Sequence, residues 1–68
     1  MDINNIFSYH APTTEQRFKY EVIRAKAKEL GQVIVDNTPV SADQTAAIRL
    51  LREAVMTANA AIALDGKL

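Results

Sequence analysis

The sequence predicts an all-α fold, a short N-terminal arm or turn followed by an antiparallel two-helix hairpin, and three observations predict it. Two long stretches repeat apolar residues at three and four positions, the spacing of one helix face. Each stretch opens on a Ser or Thr followed three residues later by Gln, Thr13 with Gln16 and Ser41 with Gln44, the spacing of a capping box. Between them lies one short break, Asn37-Thr38-Pro39-Val40, and so short a connection makes the helices antiparallel neighbours.

The elements follow in order within a single domain over residues 1–68. Residues 1–12 form the arm, in which Asp2 starts one turn through Ile3, Ile6 and Phe7 before an extended run through Ser8, Tyr9, His10, Ala11 and Pro12. Pro12 holds Ala11 in extended backbone and so keeps the arm out of the next helix. The first long helix covers about 13–37. Its seam is Tyr20, Ile23, Ala27, Leu30 and Ile34, widened by Phe18, Val22, Val33 and Val35. Gly31 costs about 1 kcal/mol relative to alanine inside a helix, which a close approach by another helix would offset. Asn37, Thr38 and Pro39 end it, because proline cannot continue the hydrogen-bond ladder.

The second long helix covers about 41–64, with Asp43 in its first turn where the helix dipole favours an acid. One seam is Ile48, Leu51, Val55, Ala58 and Ile62, and a parallel one is Ala47, Leu50, Ala54, Ala61 and Leu64. Its outward stripe begins with Thr45, Arg49 and Arg52 and turns into Met56, Asn59 and Ala63, so charge fades toward the C-terminus. Asp65-Gly66 stops the helix, with glycine expected at the left-handed position.

A two-helix hairpin covers only one of the two seams, and the other implies a second chain. Sixty-eight residues bury a smaller fraction of their surface than a large domain does, and the absence of cysteine removes both disulfide and thiolate-metal staples. Oligomerisation is the remaining one, so a homo-oligomer is expected, with Ala54 to Leu64, an uncharged run, as its assembly surface. That run is far shorter than the ~20 residues that cross a bilayer. MDINNIF also lacks the basic start and apolar core of a signal peptide, so no membrane partner is expected. Eight basic residues balance eight acidic ones, which argues against nonspecific DNA or RNA binding.

Catalytic residues are not evident. His10 has no thiol partner and no metal-ligand spacing, and only Gly31 and Gly66 are present, so neither a metal, a cofactor nor a phosphate loop is expected. The acids Glu15, Glu21, Glu29 and Glu53 lie beside basic residues at helical spacing and read as surface pairs, Arg49 with Glu53 among them. Arg17, Arg24 and Lys28 share one stripe, and Lys28 has no acid three or four residues away. Arg24 and Lys28, four apart, repel by a few tenths of a kcal/mol unless an anion joins them. Two readings stay open: a solvated basic face, or a phosphate site completed by an aromatic of the arm, for which Tyr9 is the choice. Arg52 lacks an acid at helical spacing and is a further cation for an anion.

Phe7-x-Tyr9-His10-x-Pro12, then Tyr20-x-x-Ile23-Arg24-x-x-Ala27-Lys28, then Ser41-x-Asp43-Gln44 and the run from Ala47 to Ala63 together resemble the small phage anti-CBASS sponge proteins, whose hairpin also occurs in an anti-Thoeris sponge. The resemblance implies a hexamer of hairpins in the host cell cytoplasm that sequesters cyclic di- or trinucleotide signals without cleaving them. It implies an arm tyrosine stacked on a base, matched by Tyr9 within the segment that carries His10 and Pro12, and a basic residue on phosphate, for which Arg24, Lys28 and Lys26 are candidates. It also implies a trinucleotide site elsewhere, for which Thr38, Arg49, Arg52 and Asn59 are candidates. The alternatives are a structural or regulatory helical oligomer of a phage, without nucleotide ligand, and a sponge for a Thoeris-type cyclic ADP-ribose signal.

Overall fold

The computed structural model of the chain describes residues 1–9 and 11–65 and contains three helices, α1 (Ile3–Ile6), α2 (Thr14–Asn37) and α3 (Ala42–Leu64). No strand occurs among the described residues. In α1, a single turn, the Asp2 carboxylate accepts the Asn5 N–H at 3.1 Å. The Ser8 hydroxyl then donates to the Asn4 carbonyl.

Thr13 caps α2 through a complete capping box. Its hydroxyl oxygen accepts the Gln16 N–H at 3.1 Å while Gln16 Oε1 accepts the Thr13 N–H at 3.0 Å. Ser41 caps α3 through one half of that arrangement only, accepting the Gln44 N–H at 3.1 Å. The Gln44 amide does not return to Ser41 as the spacing predicts. Its Nε2 donates to the Thr38 carbonyl and hydroxyl, both at 3.1 Å, and more distantly to the Val35 carbonyl at 3.4 Å. The last carbonyls of a helix have no partner within it, and a side-chain amide supplies the donor there.

Gln16 makes the corresponding reach at the other end. Its Nε2 donates to the Ile62 carbonyl, in the last turn of α3, at 3.1 Å. These two contacts, one at each end, fix α2 and α3 as an antiparallel hairpin. The α3 terminus departs from expectation in one respect. Asp65 itself takes the left-handed conformation, φ 51° and ψ 43°, which aspartate tolerates better than most residues; Gly66 lies outside the described residues.

Half-buried Tyr20, Ile23, Ala27 and Ile34 of α2 face half-buried Ile48, Leu51, Val55, Ala58 and Ile62 of α3, the seams predicted from spacing. Leu30 is the exception, 49% exposed. Gly31 takes its place in the seam, where a Cβ would meet Leu51 Cδ2 at 3.7 Å. That is ordinary van der Waals contact, so crowding inside the hairpin does not demand glycine.

None of the described residues is fully buried. The molecule measures 42 × 25 × 15 Å, and a helix with its side chains is about 10–12 Å across, so the hairpin is one layer thick. A folded monomer of 7.5 kDa exposes about 4,200 Å², whereas this chain exposes 5604 Å². The second α3 seam accounts for part of the excess, with Leu50 58% exposed and Ala54 and Ala61 open. No helix among the described residues is long and apolar enough to cross a membrane.

Replacing Gly31 by alanine is expected to raise hairpin stability by about 1 kcal/mol through helix propensity, read as a higher Tm in far-UV circular dichroism. A lower Tm would mean that another backbone packs against Gly31.

Candidate ligand-binding site

The α2/α3 seam leaves an open groove on each side, and both grooves are bounded by Ala27, Leu51 and Val55. They differ in charge. The first adds Val22, Ile23, Leu30, Ala54 and Ala58, with Lys26 as its single charged side chain. Lys26 is already engaged, its Nζ 3.2 Å from Glu29 Oε2.

The second groove, ≈ 440 Å³ in volume, adds apolar Ile48 and Met56, the bare backbone of Gly31, and three cations: Arg24, Lys28 and Arg52. Among the described residues the ion pairs are Lys19–Glu15, at 3.5 Å, and Lys26–Glu29. Glu21 therefore pairs with neither Arg17 nor Arg24, and Arg49 does not pair with Glu53, contrary to the surface pairing read from spacing. Exposed side chains give up rotamer freedom to hold such a pair for little return. The three groove cations thus stand together over an apolar floor with no acid within pairing distance. Arg and Lys donors bind phosphate, and an apolar floor accepts the face of a base.

The hairpin brings Arg52 to Arg24 and Lys28, although the sequence reading assigned it to a different site. The signal lay in the register of an antiparallel hairpin, where residues equidistant from the turn are neighbours. Lys28 lies about as far before Pro39-Val40 as Arg52 lies after it. Met56, read as part of an outward stripe, borders the same groove.

The remaining candidates fall elsewhere. Tyr9 is 88% exposed and lines neither groove, Pro12 is half-buried at the entry to α2, and His10 lies outside the described residues. Thr38 is consumed by the turn, its hydroxyl donating to the Ile34 carbonyl at 2.7 Å while accepting from Gln44. Arg49 is exposed on α3. Asn59 is half-buried rather than outward-facing, and its Oδ1 has no hydrogen-bond partner. At 1.5 Å per residue Asn59 lies about 25 Å along α3 from the turn that holds Thr38, so one chain does not assemble these four residues into a site.

Among the described residues no cluster of three or more His, Cys, Asp or Glu side chains is placed to hold a metal ion. The arrangement offers cationic donors and apolar surface, the means of binding an anionic aromatic ligand.

The family model for the Acb2/Tad1 hairpin domain, from the anti-CBASS and anti-Thoeris sponges, matches residues 1–63. No curated protein and no solved structure matches the chain. The family consists of noncatalytic binders of cyclic nucleotide signals.

In the ligand-free protein, Lys28→Gln is expected to leave Tm unchanged or raise it slightly, because it removes the Arg24–Lys28 repulsion. Lys26→Gln is expected to lower it by the equivalent of a few tenths of a kcal/mol, because it breaks the Glu29 pair. A larger loss from Lys28→Gln than from Lys26→Gln in the same melts would show that an acid already neutralises Lys28.

Proposed function

Because the chain belongs to the Acb2/Tad1 hairpin-domain family, we propose that it is a phage sponge that binds and holds the cyclic di- or trinucleotide signals of CBASS immunity in the host cytoplasm without cleaving them. The observation that carries this reading is the cationic groove. Arg24, Lys28 and Arg52 stand without acid partners around apolar Ile48, Leu51 and Val55, supplying donors for phosphate and a surface for a base. A sponge needs no nucleophile or general base, only stoichiometric affinity; a nanomolar Kd corresponds to about −12 kcal/mol.

The site is completed by assembly. Tyr9 lines neither groove of its own chain, and the apolar surface around Ala54 is uncovered. In our reading copies of the hairpin pack through that surface into a homo-oligomer, a hexamer as in the resembling sponges. The packing carries Tyr9 of one copy to the cationic groove of another, where its ring stacks on a base while Arg24 or Lys28 meets phosphate. A site built between chains is fixed before the ligand arrives, which lowers the ordering cost of binding.

Isothermal calorimetry with a panel of cyclic di- and trinucleotides, and with a cyclic ADP-ribose, tests the ligand class. Tight binding of a cyclic oligonucleotide is expected, weakened by roughly 1–3 kcal/mol in Tyr9→Ala through lost stacking and by a similar amount in Lys28→Ala. The nucleotide is recovered intact after denaturation. Absence of heat with every member of the panel contradicts the proposal, recovery of a linearised product makes the protein an enzyme, and preference for the cyclic ADP-ribose assigns it to Thoeris.

Ala54→Glu places a charge in the uncovered alanine-rich face. It is expected to give a smaller particle in sedimentation and weaker nucleotide binding. A folded monomer that binds at full strength would break the link between assembly and site.

A further inference from the structure

The two glutamines at the third position of α2 and α3 are built into the hairpin alike but serve different neighbours. Gln44 ties the first turn of α3 to the end of α2 across the two-helix turn. Gln16 ties the first turn of α2 to the end of α3, and it does so while holding the backbone from which the N-terminal segment departs. Three hydrogen bonds converge on it: Thr13 N–H to Gln16 Oε1 at 3.0 Å, Gln16 N–H to Thr13 Oγ1 at 3.1 Å, and Gln16 Nε2 to the Ile62 carbonyl at 3.1 Å. The Ile62 carbonyl also accepts the Asp65 N–H at 3.2 Å, so this acceptor is itself fixed in the last turn of α3.

Tyr9 and Thr13 are four positions apart, at most about 14 Å when extended, and Pro12 removes one of the backbone freedoms between them. The reach of Tyr9 is therefore bounded by where Thr13 stands, and the Thr13 N–H is held by an amide anchored to the opposite helix. We propose that Gln16 is a positioning residue for Tyr9, orienting the segment that carries the ring by locking its base to the end of α3. This inference rests on the reading of Tyr9 as the stacking residue.

Glutamine is the residue this role requires. Glutamate supplies the same capping acceptor but has no hydrogen to give the Ile62 carbonyl. Gln16→Glu therefore keeps the cap, suits the helix dipole and severs the link to α3 while adding one negative charge, which Gln44→Glu adds equally at the other end.

The experiment is a double-mutant cycle between Gln16→Glu and Tyr9→Ala, with the Kd for 3′,3′-cyclic GMP–AMP as the readout. Gln16→Glu is expected to weaken binding about fivefold when Tyr9 is present and to have no measurable effect in Tyr9→Ala. Gln44→Glu, the same change at the other end of the hairpin, is expected to act equally in both backgrounds. Thr13→Ala, which removes half of the cap but keeps the Ile62 link, is expected to lower Tm without changing Kd. An equal loss from Gln16→Glu in both backgrounds reduces it to a structural or charge effect and overturns the inference, as does no loss in either. If the unaltered chain does not bind 3′,3′-cyclic GMP–AMP, the cycle is read with the tightest-bound nucleotide of the calorimetry panel; absence of binding to every member, or unweakened binding by Tyr9→Ala, overturns the reading of the site instead.

Discussion

Two helices laid side by side have a line of contact and no interior, and that constraint shapes the rest of this molecule. Each helix buries one edge of its apolar face against the other, and the flanks of both faces stay in water as the two grooves. Hydrophobic stabilisation grows with area removed from water, so a hairpin with no fully buried described residue has little of it to draw on. Local devices carry more of the burden. Thr13 and Ser41 cap the two helices, and Gln16 and Gln44 each satisfy carbonyls at the C-terminal end of the other helix. The amides cross-link the layer at both ends, where fraying would begin.

The grooves exposed by this geometry differ in chemistry, and the difference divides their proposed roles. One is walled by alanine, valine and leucine and holds a single lysine already paired with Glu29, a surface suited to another apolar surface. The other gathers three unpaired cations over an apolar floor, a surface suited to an anion with an aromatic part. Neutral net charge for the chain is compatible with this, because a local cluster of cations can meet a small anion without a net positive charge on the whole molecule. The like charges of Arg24 and Lys28 cost the free protein a little stability, and a bound phosphate reverses the sign of that contribution.

The fold was legible because helix periodicity, capping spacing and a short break are local signals, and α2, α3 and the Thr13–Gln16 box lie where those signals put them. Legibility ended where a side chain chooses between partners distant in sequence. Ser41 and Gln44 have capping-box spacing, yet Gln44 turns to the carbonyls of α2, and only the hairpin's register brings those within reach. Arg49 and Glu53 have ion-pair spacing, but a surface pair of that kind is too weak to hold two exposed side chains together. Arg52 was recognisable as a cation without an acid at helical spacing. That it joins Arg24 and Lys28 depends on the register of the whole hairpin. Tyr9 stood out as an aromatic of the N-terminal segment, but no spacing in the sequence tells that it lines neither groove of its own chain.

The central claim is that this hairpin is one part of a larger packed unit and completes both its core and its site with further copies. When folding is coupled to association, stability depends on protein concentration. Thermal unfolding followed by circular dichroism over about a hundredfold range of concentration tests this most directly. The account predicts a Tm that rises steadily with concentration; a Tm independent of concentration, together with a monomer's sedimentation throughout, would contradict it.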